Sequence, residues 1–314
     1  MLCRAYREAT RGVVEYFSGV AQDQYLSLHV ENPDETAARL ALLKERLAAH
    51  DIPLPPGRLA RFERLSEAFA AKALTPARAA DRPRDLLELL EGNRDFHEVA
   101  AIVEHLLPPV PPADSGMLAK LKHVLGGAPL PSEDANPLAR SMQFELYVAA
   151  LCVRGELPVM FREPDCIVTA AGVRLGIAAK RAGGPNVQRL FADAASQLRK
   201  AKLDGVVALS FDRLFRPNDE RLLSPTAEAL KPEASRLLDE TLRPYLRAFD
   251  RAAAGSRAIA LFAFLVVPVA VPSENRVGRV SASLLHELRP MSKAQHAALT
   301  ELHERTALRD SDPV

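Results

Sequence analysis

Residues 164–181 read Pro-Asp-Cys-Ile-Val-Thr-Ala-Ala-Gly-Val-Arg-Leu-Gly-Ile-Ala-Ala-Lys-Arg. Two β-rich runs, Asp165 to Thr169 and Val173 to Lys180, are joined through Ala-Ala-Gly, the pattern of a hairpin. Strand alternation puts Asp165, Ile167 and Thr169 on one face. With Ala171 and Gly172 as a two-residue turn, position 165 lies opposite position 178, and Lys180 projects from the same face as residue 178. A slip of one residue would turn Lys180 away.

Working outward, Leu138 to Arg154 reads as a helix and Val159 to Arg162 as a short strand before the hairpin. Asn186 to Leu203 reads as an amphipathic helix with Val187, Leu190, Phe191, Ala194, Leu198 and Ala201 on its apolar stripe. Gly205 to Phe211 is a buried strand, Ser224 to Ala253 a long helical region, Ala258 to Val269 another strand, and Ser292 to Leu308 a final helix. In the first helix the polar stripe runs through Arg140, Gln143, Tyr147 and Arg154, roughly 140° to 180° away from Glu145 at about 100° per residue. Glu145 is therefore expected to face the sheet, where a charge needs a cation or a metal as partner. An arginine ion pair is the simpler of the two readings.

The region before about residue 130 is expected to be all helical, its breaks marked by proline clusters at Pro53-Leu54-Pro55-Pro56, Arg82-Pro83-Arg84 and Pro108 to Pro112. Helices are expected at Glu35 to Ala49 with Asp34 as N-cap, Arg58 to Ala71, Leu86 to Glu91 and Phe96 to Leu107. These observations divide the chain into a helical region, 1–130, and an α/β region, 131–314, with a mixed sheet flanked by helices. The run from His97 to His105 lacks the second histidine of a zinc-protease HExxH helix and reads as a solvated helix. Metal-binding histidine sites are not expected, at His286, His296 or His303 included.

The 314 residues suggest two domains or one large one. Apolar residues make up 48%, and 41 Lys+Arg against 40 Asp+Glu leave a formal charge of +1, which excludes a globally basic nucleic-acid coat and an acidic tail. Cys3, Cys152 and Cys166 are too scattered for a disulfide framework or a zinc cluster and suit a reducing cytoplasm. Cys152 and Cys166 read as buried structural thiols. The first residues do not resemble a secretory signal, and the run Ala258 to Val271 is shorter than the roughly 20 residues of a membrane span. No membrane partner is expected, and the Ala-, Arg- and Pro-rich composition has a bacterial, GC-rich character. Walker-type, GxGxxG and GxSxG motifs are absent.

Positive charge is concentrated locally: Arg174, Lys180, Arg181, Arg189, Arg199, Lys200 and Lys202 stand against Asp193. Such a segment suits a phosphate backbone, although charge alone fits an ordinary solvated helix face at least as well. Asp193 and Gln197, one turn apart, flank the same edge of the apolar stripe.

Taken together, the order helix, three strands, helix, strand over about residues 138–211 resembles the core of the PD-(D/E)XK nuclease superfamily, the restriction-endonuclease-like fold. Pro164-Asp165 matches the PD half, Ala178-Ala179-Lys180 the (D/E)XK half, Glu145 the acid many members carry on the first helix, and Gln197 a glutamine often found after the lysine. The resemblance implies Mg²⁺ or Mn²⁺ held by Asp165 and Glu145, with Lys180 stabilising charge on the phosphorus centre and Gln197 orienting the lysine or the substrate. Ala178 stands at the second carboxylate position and cannot ligate a metal. Either Asp193 is the acid relocated to the next helix, or Glu145, Asp165 and the Ala179 carbonyl hold one ion with waters. A third outcome is a site without activity.

The function expected is metal-dependent cleavage of DNA in restriction, repair or defence, with Arg181, Arg189, Arg199 and Lys200 on the nucleic acid and RNA as the alternative substrate. The competing reading is an inactive nuclease-fold protein that binds nucleic acid or a protein, the helical first region serving as a protein-binding part. A third reading is a helical interaction protein whose α/β unit is purely structural, with Asp165 and Lys180 as an ordinary ion pair.

Overall fold

The computed structural model describes residues 24–30, 32–75, 82–111, 113–184, 186–215, 222–223, 230–271 and 274–307. Cys3 and the rest of the N-terminal stretch lie outside the described residues, as do positions 224–229 and 308 of two expected helices. The strands are β1 (Gln24–Val30), β2 (Val159–Met160), β3 (Cys166–Ala170), β4 (Val173–Arg181), β5 (Gly205–Ser210), β6 (Leu222–Leu223), β7 (Ala258–Val271) and β8 (Arg276–Glu287). The helices are α1 (Pro33–Ala49), α2 (Arg58–Ala70), α3 (Pro83–Leu106), α4 (Ser115–Val124), α5 (Leu138–Arg154), α6 (Val187–Ala201), α7 (Asp212–Phe215), α8 (Leu230–Leu242), α9 (Leu246–Ala253) and α10 (Lys293–Thr306).

The result is an α/β fold built on one mixed sheet in the order β1-β8-β7-β5-β4-β3-β2, with β6 beside β7. β4, β5 and β7 run parallel, and the outer strands pair antiparallel. Helices cover both faces. One apolar core joins α1 to α5 and α10 to the sheet, and a second joins α6, α8 and α9 to the other face. Central strands buried on both faces read as continuous apolar runs, and all fourteen residues of β7 are buried. Pro268 is tolerated there because β5 has already ended. The N–H of Val266, two residues earlier on the same side, is met by the Asp212 carboxylate at 3.1 Å rather than by a strand.

The β3–β4 hairpin has the anticipated register. Ala170 faces Val173 and Cys166 faces Ile177, so Ala171 and Gly172 form a two-residue turn. Both have positive φ, 44° and 76°, as turns that match the right-handed strand twist require. A glycine fixes how the next layer approaches: a Cβ on Gly176 would lie 2.8 Å from Leu198 of α6 and 3.2 Å from Pro164. Gly176 thus lets α6 and the segment carrying Asp165 close onto the same point of β4.

Several expectations are corrected. The first region is not all helical, because β1 adds an antiparallel strand to β8, and its helices share a core with the sheet rather than forming a separate one. Helices expected at Leu86–Glu91 and Phe96–Leu107 are one helix, α3. Gly92, just past the expected end at Glu91, is a packing glycine: a Cβ there would meet Phe62 Cβ at 2.8 Å. The N-cap of α1 is Asn32, whose side chain accepts the N–H groups of Asp34 and Glu35, and Asp34 lies inside the helix. The long helical region breaks at Arg243-Pro244-Tyr245 into α8 and α9. The helices and strands not foreseen include α4 and β8.

The largest correction concerns polarity. The stripe of Arg140, Gln143 and Tyr147 does not face solvent, and α3 is not a solvated helix; each buries its polar residues against the other. Asp95 accepts from Arg58 at 2.7 Å and from Arg140 at 2.9 Å. Burial alone would raise the Asp95 carboxyl, but Arg140 and Arg58 hold it well below its usual range. His97 is likewise inside, with Nδ1 3.0 Å from Arg39.

Candidate functional site

The site is assembled at the edge where β4 runs past the start of β3. Asp165 stands just before β3, and its N–H donates at 3.1 Å to the carbonyl of Ile177, the residue paired with Cys166. The Ala179 N–H donates to Asp165 Oδ2 at 2.8 Å, fixing the carboxylate against β4. Lys180 Nζ lies 3.1 Å from the same oxygen and donates to its neighbour's carbonyl, Ala179 O, at 2.9 Å. From the opposite layer, Glu145 on α5 brings Oε1 to 3.8 Å from Lys180 Nζ.

Glu145, Asp165 and Lys180 therefore converge, from a helix and two adjacent strand segments. Glu145 is partly buried, its side chain 18% exposed, and its cation partners are lysines rather than an arginine. Sequence reasoning missed one of them. Lys120 on α4 places Nζ 3.0 Å from Glu145 Oε2. The stripe Met117, Leu121 and Val124 and the Asp114 cap that accepts from the Met117 N–H could have announced α4. No local signal places Lys120 beside Glu145.

The electrostatics follow from burial and this pairing. Burial pushes the Asp165 carboxyl up to about 6; Lys180 opposes the shift, Glu145 adds to it, and the Ala179 N–H opposes it. Burial alone would lower the Lys120 ammonium, but Glu145, aided by Asp165, raises it. Two carboxylates and two ammoniums thus share a partly buried cluster at near charge balance.

Other expected residues lie elsewhere. Arg181, expected on nucleic acid, is buried between the sheet, α3 and α5 and is a correction. Its side chain is 2% exposed, donates to Glu98 at 2.7 and 2.8 Å, lies 3.6 Å from Asp212 and stacks over Phe144. Consecutive residues of a strand face opposite ways, so Arg181 shares the face of Ala179 in the first core while Lys180 leaves β4 on the face of Ala178. Asp193 is 62% exposed on α6 and faces Arg189 at 3.9 Å. Among the described residues no three His, Cys, Asp or Glu side chains gather as ligands of one ion, so Asp193 does not join Glu145 and Asp165 as a third. Ala178 is fully buried among apolar side chains. Gln197 is partly buried, and its Oε1 has no hydrogen-bond partner among the described residues. Arg189, Arg199 and Lys200 are exposed along α6. Cys152 and Cys166 are free and buried; burial pushes the first thiol up to about 12 and the second well above its usual range.

No helix of the described residues is long and apolar enough to cross a membrane. Comparison with protein-family models, curated proteins and solved structures finds no match to this chain.

Proposed function

We propose that this is a nuclease-like protein of the PD-(D/E)XK type that hydrolyses phosphodiester bonds in DNA with Mg²⁺ or Mn²⁺. The observation that carries the reading is the approach of two carboxylates, Asp165 and Glu145, to one lysine nitrogen at 3.1 and 3.8 Å. The donor set suits the ion: carboxylate oxygens are hard ligands, and Mg²⁺ commonly takes one or two of them and keeps several waters. Asp165 and Glu145 would hold it. A bound ion supplies Lewis acidity toward a phosphoryl oxygen and lowers the pKa of a ligated water.

The remaining work falls to this chain's own groups. Lys180, held by Asp165 and the Ala179 carbonyl, is oriented to meet negative charge growing on a phosphate oxygen. Gln197, with its sheltered amide oxygen unpaired among the described residues, is the candidate for orienting the lysine or substrate. Arg189, Arg199 and Lys200 offer phosphate contacts along α6, whereas Arg181 does not. Asp193 has no part in the ligand set, and the Ala179 carbonyl already accepts from Lys180.

Purified protein incubated with DNA and Mg²⁺ or Mn²⁺ tests the reading. Cleavage that Lys180→Ala abolishes while the melting temperature is kept supports it; undiminished cleavage by that variant removes it. One observation favours a second reading, a nuclease-like fold that binds nucleic acid without cutting it. Ala178 supplies no ligand, and both carboxylates already have lysine partners. That reading requires salt-sensitive DNA binding indifferent to chelator, with no cleavage at any metal concentration.

A further inference from the structure

Lys120 reaches the site from the N-terminal helical region, and the two lysines of the cluster are held differently. Lys180 has Asp165, Glu145 and the Ala179 carbonyl around its nitrogen. For Lys120, Glu145 is the hydrogen-bond partner, at 3.0 Å, and its side chain is 35% exposed. A long, partly exposed ammonium with a single partner can swing into solvent once that partner is lost.

A divalent cation on Glu145 would share a carboxylate whose Oε2 Lys120 already engages. We propose that Lys120 is a positioning residue that holds Glu145 by standing in for a divalent cation, so that the ion pair and metal binding compete. Displaced by metal, the ammonium has three donors free for a phosphate oxygen of the substrate. The inference rests on the reading of Glu145 and Asp165 as metal ligands, and it gives the helical region a direct part in the site.

The test is calorimetric titration of the full chain with MnCl₂ alone, without nucleic acid, comparing the wild type with Lys120→Met, Lys120→Gln and Lys120→Arg. The expected result is about fivefold tighter Mn²⁺ binding by Lys120→Met, about 1 kcal/mol, as when a partly exposed ion pair is no longer opposed to the metal. Lys120→Gln, which keeps a hydrogen-bonding group without the charge, should tighten binding similarly, and Lys120→Arg should match the wild type. Equal or weaker binding by both uncharged variants overturns the competition and leaves the ligand assignment standing. No Mn²⁺ binding by any of the four proteins overturns both.

Discussion

Replacing Glu98 with alanine strands the guanidinium of Arg181 in the interior. Arg181 Nη2 donates to both Glu98 oxygens, at 2.8 and 2.7 Å, and the two side chains are 2% and 4% exposed. Removing one partner of a buried ion pair costs about 3–5 kcal/mol, because the other charge stays desolvated and unpaired. Asp212, 3.6 Å from Arg181, retains part of the compensation, which argues for the lower end, about 3 kcal/mol. Equilibrium urea unfolding of the wild type, Glu98→Ala, Arg181→Met and the double variant measures this as a cycle. The double variant should be less destabilised than the sum of the single ones, by about 2 kcal/mol or more, since an apolar pair can replace a buried ion pair at little cost. A single-variant loss below about 1 kcal/mol, or strict additivity, would refute the argument that Glu98 is the main counter-charge of Arg181.

Asp165 predicts a pH signature. Its folded pKa of about 6 lies above the ordinary 3.8, so the folded state holds this proton more tightly and stability falls as pH rises from about 4 through 6. Two units correspond to about 3 kcal/mol, and Asp165→Asn should become more stable relative to wild type over that window, by up to this amount. Urea titrations at pH 4, 5, 6 and 7 check it, and a difference independent of pH would contradict it. The buried thiols Cys152 and Cys166 should resist iodoacetamide in the native protein at pH 8 and react after unfolding, as read by peptide mass mapping. Alanine at Arg189, Arg199 and Lys200 together should lower the slope of log binding constant against log salt by about 3, at about 0.9 per lost phosphate contact; an unchanged slope would put the nucleic acid on another face. Gly92→Ala should cost about 1–3 kcal/mol through overpacking against Phe62, visible as a lower melting temperature.

What was legible in the sequence was local. The hairpin declared itself because alternation has period two and the turn residues are small, and that register alone set Asp165, Ala178 and Lys180 in order. Glu145 stood out because helical spacing separated it from Arg140, Gln143 and Tyr147. The same spacing misled about which side was wet, since periodicity reports that two faces differ without saying which meets water. Here the polar face meets a second polar face, Asp95 and Glu98 on α3. The helix end expected at Glu91 and the reading of Arg181 fail for a related reason: close packing of Gly92 with Phe62 and pairing with Glu98 are contacts between residues far apart in the chain. β1 joins β8 across most of the sequence, and no local pattern carries that information.

The same long-range contacts give the first region its place. Lys180 and Arg181 are consecutive on β4, and the carboxylates that meet them, Glu145 on α5 and Glu98 on α3, both belong to the helical layer of the first core. Arg181 is held by Glu98 from α3, while Lys180 meets Glu145, which Lys120 from α4 holds. Two helices of the N-terminal region therefore fix the end of β4 from the same layer, one through a buried ion pair and one through the site's own carboxylate. Rotation of this strand end would move Lys180 away from Asp165 and unpair Arg181 together. A change at Glu98 should accordingly weaken both stability and whatever Lys180 does, whereas a change at Lys120 should act on the site alone.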